Sequence, residues 1–230
     1  MTTTNRISLH SAAIIAGIGL LVSLFAAPFA ELFALPKLIV PFQPAETANN
    51  ILHNQTLFSG ALIAYLITFI SDIVIAWALF ILLRPVHRDL SLLTALFRLV
   101  YTVIAIIALN NLVTAFQLIT TPDYLSIFSQ DQVNNQAMVS LRAFRNHWYF
   151  GIVFFGIHLM LLGFLSIRSG YIPKVFGILL MIAGMGYFLT SLRPYIMPNV
   201  NLDFAKYTYY GEVLFMLWLL IRGYKIREVK

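Results

Sequence analysis

Residues 57–83 read LFSGALIAYLITFISDIVIAWALFILL, an apolar run carrying a single charged side chain, Asp72. A helix rises about 1.5 Å per residue and a bilayer's hydrocarbon core is about 30 Å thick, so roughly 20 apolar residues make one crossing. This run exceeds that length, which leaves room for tilt. Backbone amides find no water inside lipid, so the run must be helical. It stops at Arg84-Pro85-Val86-His87-Arg88, and a second apolar run, Leu90–Leu118, begins at once. So short a connection makes the two helices antiparallel neighbours.

Outward from this hairpin, four more stretches meet the same requirement: Ser11–Glu31, Trp148–Ile167, Ile172–Leu192 and Phe204–Gly223. Together the six predict an all-α fold, a polytopic membrane helical bundle, with residues 1–230 forming a single integral membrane domain. The composition agrees. Of 230 residues 60% are hydrophobic and 10% charged, whereas soluble chains are about one quarter charged. The first stretch follows a short basic segment with Arg6, as a signal peptide would. Cleavage near Ala27 or Ala30 would put Phe25 or Pro28 where a small residue is needed, so the stretch reads as a retained helix.

Charge sets the orientation. Arg6, Arg84, Arg88, Arg168, Lys174, Arg222, Lys225, Arg227 and Lys230 fall on one side of the six crossings; Lys37, Arg142, Arg145, Arg193 and Lys206 fall on the other. Nine against five predicts both termini in the cytoplasm. The turn Arg168-Ser169-Gly170-Tyr171 is as short as the first, so helices four and five also pair. Gly156 with Gly163, and Gly177 with Gly184, repeat at seven-residue spacing and put small residues on one face of each, as close helix packing in membranes requires. On the outer side, Ser129 and Gln132 form a capping-box pattern. Val133, Ala137, Leu141, Phe144 and Trp148 then make a helical stripe. An amphipathic helix is predicted over 130–146, lying on the outer surface or extending helix four.

Several functions are excluded. Without cysteine there is no disulfide, iron–sulfur cluster, thiolate zinc site or cysteine nucleophile. The net charge of +6 is scattered between apolar runs, which is membrane topology rather than the basic stripe of a nucleic-acid binder. No GxGxxG, Walker A, HExxH or GxSxG pattern occurs. His87-Arg88-Asp89-Leu90 has the letters of a kinase catalytic loop but neither its asparagine nor a glycine-rich partner loop.

What remains is the set of ionisable groups inside the lipid, each costing roughly 2.5–3.5 kcal/mol on insertion scales. Counted from the inner helix ends, Asp72 and Glu212 lie about 16 Å deep, His158 about 15 Å and Arg98 about 12 Å. Four helices therefore bring four such groups to one level. Tyr65 and Thr68 share a helix face with Asp72, and Tyr101 shares one with Arg98. His147 and His158 stand about 16 Å apart along one helix, too far to ligate one metal. No metal and no cofactor are expected. Two structural readings stand beside a functional one: Arg98 is the counter-charge that glues helices together, or it snorkels to the inner surface.

Five segments carry a resemblance: AELFALPKLIV at 30–40, ETANNIL at 46–52, LFRLVYTVIAIIALNNL at 96–112, GIVFFGIHLMLLGFLSIRSGYIPKVFGILLMIAGMGY at 151–187 and GEVLFMLWLLIRG at 211–223. In these the chain resembles a family of bacterial multi-pass membrane proteins known only as a domain of unknown function. The resemblance implies one all-helical domain in a bacterial inner membrane and brings no activity, substrate or site residue.

Three functions compete on these residues. The first is a non-enzymatic membrane protein that binds or moves a small solute, proton or lipid at Asp72, Arg98, His158 and Glu212. The second is an intramembrane enzyme acting on a lipid or isoprenoid, with Glu212 or Asp72 as base and His158 as acid, or with these three holding a metal. The third is an assembly protein whose outer helix meets a partner. The bilayer is the only partner common to all three.

Overall fold

The computed structural model describes residues 7–226. Arg6, Arg227 and Lys230, counted above among the inner cations, lie outside the described residues. Helix α1 (Leu9–Pro28) ends in a proline, which has no N–H to give the carbonyl of Leu24. The chain answers by widening to a π-type stretch, Phe29–Ala34, in which Leu35 N–H bonds Ala30 O. It then tightens into α2 (Leu35–Leu38). The first crossing was expected to end at Glu31; Glu31 instead lies inside a helical run from Leu9 to Leu38. Helix α3 (Pro44–His53) follows, opened by a proline whose missing N–H costs nothing in the first turn.

Helices α4 (Gln55–Leu83) and α5 (Arg88–Thr120) form the expected hairpin. The Nδ1 atom of His87 accepts the Leu90 N–H at 3.2 Å, which caps the start of α5. A short 3-10 turn, Pro122–Ser126, leads to α6 (Gln130–Arg168). The capping box is present in both directions: Ser129 N–H donates to Gln132 Oε1 at 2.9 Å, and Gln132 N–H to Ser129 Oγ at 3.4 Å. The predicted outer helix over 130–146 and the predicted crossing at 148–167 are one continuous helix. The stripe expected on that outer part is buried within the chain: Val133, Ala137, Leu141 and Phe144 are each less than 5% exposed.

The turn into α7 (Lys174–Ile196) passes through Gly170 at φ 72°, a backbone conformation that side chains disfavour. The last helix, α8 (Tyr210–Arg222), is shorter than the predicted crossing Phe204–Gly223. It is flanked by 3-10 turns at Asp203–Tyr207 and Gly223–Lys225. Five helical runs are long and apolar enough to cross a membrane: Leu9–Leu38, Gln55–Leu83, Arg88–Thr120, Gln130–Arg168 and Lys174–Ile196. Among the described residues there is no strand. The outward sides of α4 and α5 expose Ile63, Leu66, Ile67, Ile70, Val103, Ile106 and Ile107. Aliphatic surface at that density suits lipid and would be a liability in water.

The chain divides into two compact units, interleaved along the sequence. The first comprises Met1–Val22, Ser71–Thr102 and Phe150–Lys230; the second comprises Ser23–Ile70 and Val103–Tyr149. The first unit is held by small residues. A Cβ on Gly156 would meet Gly184 O at 2.7 Å, and one on Gly177 would meet Gly163 O at 2.6 Å. The seven-residue glycine spacing therefore does bring the backbones of α6 and α7 together. Gly211 of α8 lies equally close to Leu179 O of α7 (2.7 Å), and Gly19 of α1 to the side chain of Ile75 on α4 (2.6 Å). In the second unit the one described glycine on a helix, Gly60, makes no such close backbone approach, and a cluster of rings packs the helices. Phe58 stacks on Phe116 at 5.3 Å between centroids, and Tyr65 meets Phe69, Phe144 and Trp148 at 5.3–6.0 Å.

Candidate functional site

The first unit brings Asp72 of α4, Arg98 of α5 and His158 of α6 into direct contact. Arg98 Nε donates to Asp72 Oδ1 at 3.1 Å, and its Nη2 to the same oxygen at 2.5 Å. Its Nη1 lies 3.2 Å from His158 Nε2. A guanidinium can only donate, so Nε2 of His158 is the acceptor. The other ring nitrogen, Nδ1, is 2.8 Å from the carbonyl oxygen of Thr94, which can only accept. These two partners fix the tautomer: the proton sits on Nδ1 and the ring is neutral. Arg98, Asp72 and His158 are at most 3% exposed. Arg98 therefore does not snorkel to a surface; it spans two other helices in the interior.

The ring of Phe155, one turn before His158 on α6, lies 5.2 Å from the Arg98 guanidinium carbon. It also touches Tyr101 of α5 at 4.9 Å and Tyr187 of α7 at 5.3 Å, the latter edge-on. Tyr101 is within electrostatic reach of Asp72, Arg98 and Glu212. Tyr187 stacks on Tyr209 at 4.1 Å, and the Tyr209 hydroxyl is 3.3 Å from Thr190 Oγ1. Glu212 of α8 pairs through its side chain with Tyr187. Among the described residues the only salt bridge is that of Arg98 with Asp72, so no cation holds Glu212 directly.

Arg98 and Glu212 line the same small cavity, whose other walls are leucines and Phe215. Its volume is about 10 Å³, the lower limit for holding one water molecule. The four predicted residues are thus gathered in one unit, three in contact and the fourth lining a small cavity together with Arg98.

The supporting residues divide. Tyr101 belongs to this cluster. Tyr65 and Thr68 belong to the second unit, where the Tyr65 hydroxyl donates to Glu31 Oε2 at 2.5 Å and Thr68 Oγ1 donates to Ala64 O at 2.9 Å. His147 is also there, its Nδ1 3.2 Å from Asn111 Nδ2. Sequence reasoning missed Thr94, Phe155, Tyr187 and Tyr209. Only Tyr187 left a trace, as a phenol one turn beyond Gly184 on a small-residue face. The donor set does not suit a metal, because a guanidinium stands between Asp72 and His158 and both nitrogens of that histidine are engaged. Among the described residues no group of three or more His, Asp or Glu is placed to hold one.

A protein of Archaeoglobus fulgidus described as uncharacterized is 36% identical over 169 residues, covering 74% of this chain and 87% of the relative. No solved structure matches. The family model described as Domain of unknown function (DUF4386) matches residues 15–223. With nearly its whole length matched, the chain belongs to the DUF4386 family.

Proposed function

We propose that the protein is a six-crossing inner-membrane protein that exchanges a proton at Glu212, beside the fixed network of Arg98, Asp72 and His158. The single observation behind this is the cavity of about 10 Å³ shared by Arg98 and Glu212. It is too small for a solute or an isoprenoid and large enough for one water, so the species that fits is a proton carried by water and carboxyl. Asp72 already neutralises Arg98. Glu212 has a phenol as its partner and no ion pair, which leaves it the carboxyl able to change charge state without breaking a salt bridge.

A sixth crossing is supported by length. Helix α8 contributes about 20 Å and its flanking 3-10 turns about 16 Å, together enough for the hydrocarbon core. An even number of crossings returns both termini to one side, and the excess of basic residues there makes it the cytoplasm. The enzyme reading is weaker because His158 has both nitrogens committed. The assembly reading loses its basis where the outer stripe is buried in the chain itself.

The test is proton flux into reconstituted vesicles under an imposed pH gradient. Glu212→Gln should abolish flux while the chain still elutes and unfolds as the native protein does. Wild-type flux in that variant would rule the proposal out.

A further inference from the structure

The second unit contains a larger cavity, about 560 Å³, that no part of the proton proposal uses. Its walls come from the π-type stretch at Glu31, from α2, from the turn that follows, and from α6. Leu35, Ile39, Met138 and Leu141 give an apolar interior, and Arg142 and Arg145 stand one turn apart at the same cavity. That volume is within the range of small-molecule sites, about 300–1,000 Å³. The turn holds Phe42 at φ 62°, an outlier for a bulky residue, and its ring is 81% exposed. The Phe42 ring lies 4.7 Å from the Arg142 guanidinium, within cation–π reach.

Charge narrows the ligand. Two guanidiniums and the Glu31 carboxyl line the cavity, a formal charge of +1 when all are ionised. A singly charged phosphodiester cancels that charge, and its oxygens can receive both guanidinium forks. The apolar interior asks for a hydrocarbon on the same molecule. We propose that the second unit binds a phospholipid with an anionic phosphodiester head, the phosphate at Arg142 and Arg145 and part of an acyl chain between α2 and α6.

The test is native mass spectrometry of the purified full chain titrated with phosphatidylglycerol, with inorganic phosphate and oleate as separate competitors. Arg142 and Arg145 are exposed, so R142Q/R145Q removes no buried group. That variant should bind the lipid about tenfold or more weakly, given the strength of charge-assisted hydrogen bonds. Met138→Trp, which puts a larger side chain into the apolar part of the cavity and keeps both arginines, should weaken binding as well. Neither competitor should displace the lipid. Unchanged lipid binding in either variant, displacement by phosphate alone, or displacement by oleate would each overturn the proposal.

Discussion

Both units carry clusters of rings, but only the first adds glycines that bring helix backbones together. In the first, glycines let backbones approach closely, and the buried network of Arg98, Asp72 and His158 lies beside a cavity of about 10 Å³. In the second, rings and a proline-disturbed helix cannot interlock as closely, and a cavity of about 560 Å³ remains. The lesson concerns what each kind of packing allows. Small residues in contact make a site selective by leaving no room, whereas bulky irregular walls make one selective by shape and rim charge.

The strongest way to break this contrast is to unpair the buried charges. Asp72→Ala leaves Arg98 charged and buried, and should destabilise the purified chain by about 3–5 kcal/mol in thermal or denaturant unfolding. Asp72→Leu with Arg98→Met should recover most of that loss, since an apolar pair of similar volume often replaces a buried ion pair without cost. Failure of the double variant to recover would mean that the network specifies the helix arrangement beyond its charge balance.

Next in size is the glycine face. Gly184→Val puts a Cβ 2.6 Å from Gly156 O, closer than such atoms can pack, and should cost about 1–3 kcal/mol or more through overpacking. The same unfolding measurement checks it. By contrast, Met138→Trp fills existing space in the second unit and should leave the unfolding midpoint nearly unchanged. Equal losses at both sites would erase the distinction between the units.

Smaller effects sharpen the comparison. Tyr65→Phe removes the donor to Glu31 in the second unit and should cost about 1.5 kcal/mol, as for hydrogen bonds to charged groups. Tyr171, in the turn between α6 and α7, donates to Leu82 O at 2.5 Å in the first unit. Tyr171→Phe should cost about 1 kcal/mol, also read from unfolding. Burial pushes the Tyr171 phenol above its ordinary value of 10.0. This contribution is therefore full below pH 10 and lost only as the pH rises through the folded value. The Phe variant should lack that alkaline loss.

Much of this was legible from residues alone. Lipid demands long apolar runs, so the hairpin of α4 and α5 and the run of α7 could be read within a few residues. Arg142, Arg145 and His147 interrupt the hydropathy between 130 and 168, which divided α6 in two on paper. They do not interrupt its backbone, because polar residues are good helix formers wherever they can face water or a cavity. Pro28 was visible, but the π-type stretch that carries the helix on to Leu38 depends on how carbonyls find donors after it. Tyr65 was legible as polar but its partner Glu31 was not, because a helix face does not reveal which neighbour will meet it.

By itself the sequence determined that the chain is helical and apolar and that Asp72, Arg98, His158 and Glu212 must find partners, since an unpaired charge in lipid is too costly to persist. Only the tertiary structure decided which partners. Arg98 joins Asp72 to His158, Tyr187 takes Glu212, and Glu31 takes Tyr65. Hydrogen bonds and ion pairs act over a few ångströms between helices distant in sequence, and those distances come into being only when the helices pack.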